Sequence, residues 1–206
     1  MRQFHRELYW HRQLEKTQHL LYKDDLTGLF NYRYLHVALQ NESVRYQRFA
    51  QGFSLLFLDL DNFKIINDQF GHGQGSSVLK DVALLLKDSV REVDIVVRYG
   101  GDEFVIILIG TNSLHASFAA ERLREIIAQT PFYITKHSHP VYLTASIGIA
   151  SCPEHTTDKN ELLRLADERM YHGKRQGKNR VVHAAHEGLS EIVFGGTPRE
   201  ATQMLP

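Results

Sequence analysis

Ile95-Val96-Val97-Arg98-Tyr99-Gly100-Gly101-Asp102-Glu103-Phe104-Val105-Ile106-Ile107-Leu108 is the stretch on which the fold turns. Two β-branched, apolar runs flank a short polar segment with two glycines, which predicts a hairpin of two buried strands. Gly100 and Gly101 remove two side chains beside Asp102 and Glu103, leaving room for a phosphate or ribose to approach the backbone.

Upstream, Phe53-Ser54-Leu55-Leu56-Phe57-Leu58-Asp59 is nearly all apolar, as a strand covered on both faces should be, and Asp59 ends it. Asn31 can cap a helix running to Phe49. A loop is expected from Leu60 to Gly75, then a helix from Ser76 to Val90 with Val78, Val82, Leu85 and Leu86 inward. Downstream the pattern predicts a helix over His115 to Gln129, strands at Phe132 to Thr135 and Tyr142 to Ala150, a helix over Asn160 to Arg175, and a strand at Arg180 to His183. The expected divisions are an N-terminal linker or dimerisation helix (1–23), one catalytic domain (24–183) and a C-terminal tail (184–206). Phe4, Leu14 and Leu21 form a sparse apolar seam, readable as a solvated linker or as a pairing helix. The alternation of strands and helices indicates an α/β (α+β) sandwich, with helices flanking a central sheet.

The 206 residues carry 24 Lys+Arg against 24 Asp+Glu. Zero net charge gives no field to hold a nucleic-acid polymer or an anionic membrane, so any phosphate binding must be local. Cys152 has no partner cysteine, and no apolar run reaches the roughly 18–20 residues of a bilayer span. The N-terminus lacks a signal peptide's apolar core, and a soluble, cytoplasmic protein is expected. His137 and His139 lack the neighbours of a zinc pattern and read as surface residues.

Two acidic clusters sit where strands stop: Asp59-Leu60-Asp61 and Asp102-Glu103. Carboxylates on rigid strand ends beside glycines suit Mg²⁺ shared with a nucleotide, which takes oxygen ligands from protein and phosphate alike. Each alone could be a polar turn. Lys64, Lys174 and Lys178 can supply the positive charge that phosphates need.

Arg98-Tyr99-Gly100-Gly101-Asp102-Glu103-Phe104 resembles the signature of the GGDEF family of diguanylate cyclases. The resemblance extends in order through Asp24-Asp25-Leu26-Thr27-Gly28-Leu29-Phe30-Asn31, Asp59 to Asp68, Phe70-Gly71-His72, Ser146-Ile147-Gly148, Ala166-Asp167 to Tyr171, Lys174, and Gly177-Lys178-Asn179. It implies a fold similar to nucleotidyl cyclases and polymerase palms, with a mainly antiparallel sheet of five or slightly more strands. It also implies a reaction in which two nucleoside triphosphates, one on each subunit of a homodimer, are joined with release of two pyrophosphates. Asp59, the Leu60 backbone carbonyl, Asp102 and Glu103 would hold two Mg²⁺ ions, for which Mn²⁺ can substitute; Glu103 could instead take the hydroxyl proton. Asp102, Glu103 and Lys64 are the implied catalytic residues. Asn62, Phe63, Lys64, Gly100, Gly101, Lys174 and Lys178 would surround the phosphates, with Lys178 where the family often has arginine. Asn67, His72 and residue 76 belong to the base-binding segment.

At residue 76 the family usually has an aspartate, and here there is Ser76. A carboxylate only accepts hydrogen bonds, which suits the N1-H and N2-H₂ of guanine; a hydroxyl donates or accepts and admits adenine. The substitution resembles the hybrid promiscuous subgroup, which implies GTP and ATP as substrates and 3′,3′-cyclic GMP-AMP as product, with cyclic di-GMP and cyclic di-AMP also accessible. Ser76 could alternatively serve as a helix N-cap. Arg91-Glu92-Val93-Asp94, with Arg122, matches the family's inhibitory-site pattern and would bind a cyclic dinucleotide; an ordinary salt bridge is the other reading. An upstream sensory domain is expected outside this sequence, with a weak or concentration-dependent dimer. The alternatives are an ordinary diguanylate cyclase and a catalytically silent nucleotide-binding signalling module.

Overall fold

The computed structural model describes residues 21–134, 140–183 and 192–195. The seam before Leu21, His137, His139 and most of the segment after His183 lie outside the described residues. The chain runs β1 (Phe30–Asn31), α1 (Tyr32–Phe49), β2 (Phe53–Asp61), α2 (Phe63–Phe70), α3 (His72–Asp88), β3 (Ile95–Gly100), β4 (Glu103–Ile109), α4 (Ser113–Gln129), β5 (Thr144–Cys152), α5 (Lys159–Arg175), β6 (Arg180–His183) and β7 (Ile192–Gly195).

Seven strands form one sheet in the order β1-β3-β4-β2-β5-β6-β7. Only the β1/β3 and β5/β6 pairs are parallel, so the sheet is mainly antiparallel, as expected. β2 lies at its centre, paired on both sides along its length, and all nine of its residues are buried. Strand alternation sends Leu56, Leu58 and Leu60 into a core with α2, α3 and α4, while Leu55 and Phe57 face α1 and α5. Asp59 and Asp61, by the same alternation, belong to the α5 side.

Several boundaries differ from the sequence expectation. The loop expected at Leu60 to Gly75 contains α2, which buries Phe63 and Ile66; Asn62, Asn67 and Asp68 had given the segment its loop-like polarity. α3 begins at His72, with Gly71 at its cap, so Ser76 lies inside the helix and is not its N-cap. β2 continues past Asp59 to Asp61, and β5 begins at Thr144 and not Tyr142. The Phe132 strand is reduced to a bridge with Val141. Residues 192–195, expected in a tail, form β7 against β6. Asn31 caps α1 as expected, accepting from the Arg33 and Tyr34 amides. Among the described residues no helix is long and apolar enough to cross a membrane.

α5 sits directly on β5 at Gly148. A Cβ there would lie 2.0 Å from the Ala166 carbonyl oxygen and 2.3 Å from the Met170 nitrogen. Both obstacles are backbone, so Gly148→Ala should push α5 off the sheet and destabilise the domain by about 2–3 kcal/mol in urea denaturation. Gly73→Ala, in α3 with nothing within 4 Å of the new methyl, should be neutral or stabilise by up to about 1 kcal/mol.

Candidate active site

Three carboxylates come from adjoining strand ends. Asp59 pairs in register with Glu103 on β4 and with Ser146 on β5. The Leu60 amide donates to the Asp102 carbonyl at 3.3 Å, tying β2 to the Gly-Gly turn. Asp59 is 6% exposed. One carboxylate oxygen, Oδ2, is ion-paired with Lys174 Nζ from α5. The other, Oδ1, is buried without a hydrogen-bond partner among the described residues.

A buried carboxylate oxygen left open beside two further acids is a fit for a divalent cation. No three His, Cys, Asp or Glu side chains among the described residues form a ready cage. Mg²⁺ does not require one, since it takes one or two carboxylates and completes its octahedron with carbonyls, water and phosphate oxygens. Asp59, Asp102, Glu103 and the Leu60 carbonyl are the oxygen groups nearby that could take part in such a set.

Burial pushes the Asp59 carboxyl up to about 6; Lys174 pulls against this, and Asp102 and Glu103 add to it. Glu103 is also raised, by burial first and then by the charges of Asp167 and Asp102, with Lys174 opposing.

Asp61 has a different part. Its carboxylate accepts from Thr144 Oγ1 at 2.7 Å, Ser146 Oγ at 2.8 Å and the Asn179 amide at 2.9 Å. So satisfied, it staples β2 to β5 and to the turn after α5, and of the two aspartates in the Asp-Leu-Asp cluster Asp59 is the one that keeps an oxygen open.

Arg98 fixes the Gly-Gly turn. Its Nε and Nη2 donate to the Gly101 carbonyl at 3.1 and 2.8 Å, and its Nη1 reaches both oxygens of Asp24 at 3.1 and 3.2 Å. Asp24 also accepts from the Thr27 amide and hydroxyl. Burial would raise the Asp24 carboxyl, but the Thr27 and Arg98 contacts outweigh it and hold the group below the usual carboxylate range.

In the first turn of α2, Lys64 is exposed and Phe63 is buried. Asn62 precedes them in the left-handed region (φ 58°) and accepts from Lys178 Nζ. At the start of α3, a Cβ on Gly75 would lie 2.0 Å from Asn67 Oδ1, so the Asn67 side chain keeps this position only with glycine there. Ser76 follows, half-buried, and His72 is exposed at the start of α3.

The diguanylate cyclase GGDEF-domain family model matches residues 21–180. The chain belongs to the GGDEF diguanylate cyclase family. It is 37% identical over 177 residues to the response regulator PleD of Caulobacter vibrioides, covering 86% of this chain and 39% of PleD. It is 37% identical over 167 residues to the diguanylate cyclase DosC of Escherichia coli, covering 81% of this chain and 36% of DosC. The chain thus spans less than half the length of the curated relatives it matches. The coiled coil and GGDEF domain of DgcB from Caulobacter crescentus, solved with c-di-GMP, shares the fold with a TM-score of 0.81 at 24% identity, covering 88% of this chain and 95% of that one.

In this GGDEF domain the expected inhibitory residues lie apart from the acidic cluster. Arg91 forks Asp94, Nε to Oδ2 at 3.0 Å and Nη2 to Oδ1 at 2.8 Å, and also reaches the Ile109 carbonyl and Thr111 hydroxyl. Arg122 on α4 donates to the Ser89 carbonyl at the end of α3. A cleft of about 390 Å³ beside Arg91 and Asp94 is also lined by Lys23 and Lys87. Sequence reading assigned no role to Arg98, Asp24, Arg124 or Asn179; the Asp24-x-x-Thr27 turn was the one local signal available.

The Asp59 carboxyl, raised by burial, couples its protonation to folding. Between about pH 4 and 6 the folded state holds a proton that the unfolded chain releases, so stability falls as pH rises through this window. Asp59→Asn should therefore be more stable than wild type in EDTA at pH 7.5, by on the order of 2–3 kcal/mol. The gap should close towards pH 4 in urea denaturation, and added Mg²⁺ should raise the thermal midpoint of wild type alone.

Proposed function

We propose that this GGDEF domain condenses two nucleoside triphosphates into a 3′,3′-cyclic dinucleotide, using GTP and ATP to form cyclic GMP-AMP, with cyclic di-GMP and cyclic di-AMP as further products. The observation that carries the cyclase reading is the open Oδ1 of buried Asp59, set beside Asp102 and Glu103 with Lys174 at its other oxygen. Support also comes from DosC, which is described as a diguanylate cyclase.

Each half-reaction forms a bond from a 3′-oxygen to an α-phosphorus, breaks the bond from that phosphorus to the β-bridging oxygen, and releases pyrophosphate. Glu103 either takes the 3′-hydroxyl proton or ligates an ion; with no cation bound, burial and then the charges of Asp167 and Asp102 raise its carboxyl above the usual range. Lys64, Lys174 and Lys178 take the β- and γ-phosphates, and the side-chain-free Gly100-Gly101 turn lets the nucleotide reach the backbone. Two Mg²⁺ ions, or Mn²⁺ in their place, held by Asp59, Asp102, Glu103 and the Leu60 carbonyl, would supply Lewis-acid stabilisation of charge on the transferring phosphate. Ring closure needs two such attacks on opposed nucleotides, so the active form is a homodimer. PleD is described as a response regulator, and a sensory module joined to this domain belongs to the same proposal.

Base choice is carried by Ser76. Its place inside α3 removes the capping role that would have explained a serine there, and Gly75 brings the neighbouring Asn67 against the same helix. Exchanging a carboxylate for a hydroxyl loses about 2–3 kcal/mol of preference for guanine, roughly 30- to 150-fold. With equimolar GTP and ATP plus Mg²⁺, the product mixture should contain cyclic GMP-AMP, and Ser76→Asp should shift it to cyclic di-GMP. Cyclic di-GMP alone from wild type leaves an ordinary diguanylate cyclase; no pyrophosphate release leaves a silent binding module.

Arg91, Asp94 and Arg122 are proposed to bind the cyclic dinucleotide product as an inhibitor, the arginines forking phosphate and guanine edges. Added cyclic di-GMP should lower turnover and raise the thermal midpoint of wild type, and Arg91→Ala should abolish both effects. A wild type that responds in neither respect has no such site.

A further inference from the structure

We propose that Arg124, on α4, is a positioning residue for the triphosphate site, holding the 177–179 turn so that Lys178 presents its ammonium beside Asn62 and Lys64. The inference rests on the reading of Lys178 as a phosphate contact.

The turn after α5 is strained. Gly177, Lys178 and Asn179 are consecutive and all have positive φ, 115°, 63° and 47°. Glycine adopts such values freely and asparagine tolerates them, but a lysine stays there only when its surroundings fix it. The fixing bonds come from two layers. From β2, on the α5 side, Asp61 Oδ2 accepts from the Asn179 amide at 2.9 Å. From the other face, where α4 packs its Ala116, Ala120 and Leu123 on the core of Leu56 and Leu58, Arg124 Nη1 donates to Asn179 Oδ1 at 2.8 Å. Asn179 is thereby gripped through backbone and side chain from opposite sides of the sheet.

The chemistry of Arg124 makes this grip more than incidental. Its side chain is 6% exposed, so its charge needs a partner. Glu121 supplies one: Nε lies 3.0 Å from each of its carboxylate oxygens, and Nη2 donates to Oε1 as well. Charge neutralisation is complete within α4, and the bond to Asn179, 55 residues away, is additional to it. A lysine could pair with Glu121 but could not present a second, rigidly angled donor in the same plane. Lys178 itself is held by its amide to the Gly173 carbonyl at 3.1 Å and by its carbonyl to Arg180 Nε at 3.0 Å, and its Nζ donates to Asn62 Oδ1 at the start of α2. With the backbone so directed, the ammonium meets Asn62, the residue that precedes Phe63 and Lys64 at the start of α2.

The test is steady-state kinetics with GTP plus calorimetric binding of a non-hydrolysable GTP analogue, on wild type, Arg124→Met, Asn179→Ala, Lys178→Met and the double variant Arg124→Met/Asn179→Gly. Arg124→Met should raise KM and the analogue's Kd about tenfold, the weight of one charge-assisted hydrogen bond, with kcat changed less than about threefold. Asn179→Ala, which removes the acceptor and leaves the Arg124–Glu121 pair intact, should do the same and serves if Arg124→Met does not fold. Glycine at 179 needs no clamp for its positive φ, so the double variant should recover binding to within about threefold of wild type. A purely structural Arg124 would lower the thermal midpoint and the active fraction, leave KM unmoved, and gain nothing from glycine; that result overturns the proposal. If Lys178→Met leaves binding at the wild-type value, the phosphate role of Lys178 is what fails. If Lys178→Met weakens binding while Asn179→Ala does not, the phosphate role stands and the positioning role falls.

Discussion

The structure is organised around one buried carboxylate. Asp59 stands at the end of the most covered strand of the sheet, where β4 and β5 flank it and α5 lies above. An isolated charge there would be costly, and Lys174 offsets only one of its two oxygens. The rest of the domain can be read as what is needed to keep that carboxylate ionisable and open on one side. Gly148 brings α5 into backbone contact so that Lys174, one turn beyond Met170, reaches Oδ2. Asp61, two residues on, is saturated with neutral donors and stays out of competition for a cation. A group destabilised in this way is the group that binding a divalent ion would relieve, which links the weak point of the fold to the proposed function.

The turns around Asp59 are held by long-range polar braces and not by their own sequences. Arg98 joins the Gly101 carbonyl to Asp24, and Arg124 joins Asn179 to Glu121. Each brace presents a planar guanidinium with several donors, so one side chain can satisfy a carboxylate and still direct a bond at a loop. Flexible, glycine-bearing turns are what a nucleotide needs to approach the backbone; the braces restore the order that those glycines give up.

What was legible in the sequence was local. The 95–108 hairpin, the apolar run of β2 and the cap at Asn31 are each defined within about a dozen residues, and all three appear in the fold. α2 was hidden because the polar residues Asn62, Asn67 and Asp68 make a helix resemble a loop, although Phe63 and Ile66 lie three apart. The acidic residues were legible as a pair of clusters, but not that Asp61 is closed by hydrogen bonds and Asp59 is not, since Thr144, Ser146 and Asn179 come from 83, 85 and 118 residues away. The Arg98–Asp24 contact spans 74 residues. Pairings of this kind follow from sheet order, which no local period encodes.

The neutral charge balance takes on a different meaning in this frame. With 24 residues of each sign, the chain has no overall field to gather an anion, so the proposed triphosphate binding rests on a few placed groups whose positions the fold must fix. Helix packing shows how such a frame permits variation. The close contact between α2 and α3 is made by Gly75, whose missing Cβ lets Asn67 lie against the helix. Ser76 is its neighbour but not the contact itself, and since α3 starts four residues earlier, at His72, it does not hold the helix end either. A side chain that neither makes that contact nor caps the helix can change from carboxylate to hydroxyl without disturbing either. Under the proposed function, that makes residue 76 a point where selectivity between purines would shift while Asp59, Asp102, Glu103 and the lysines stay as they are.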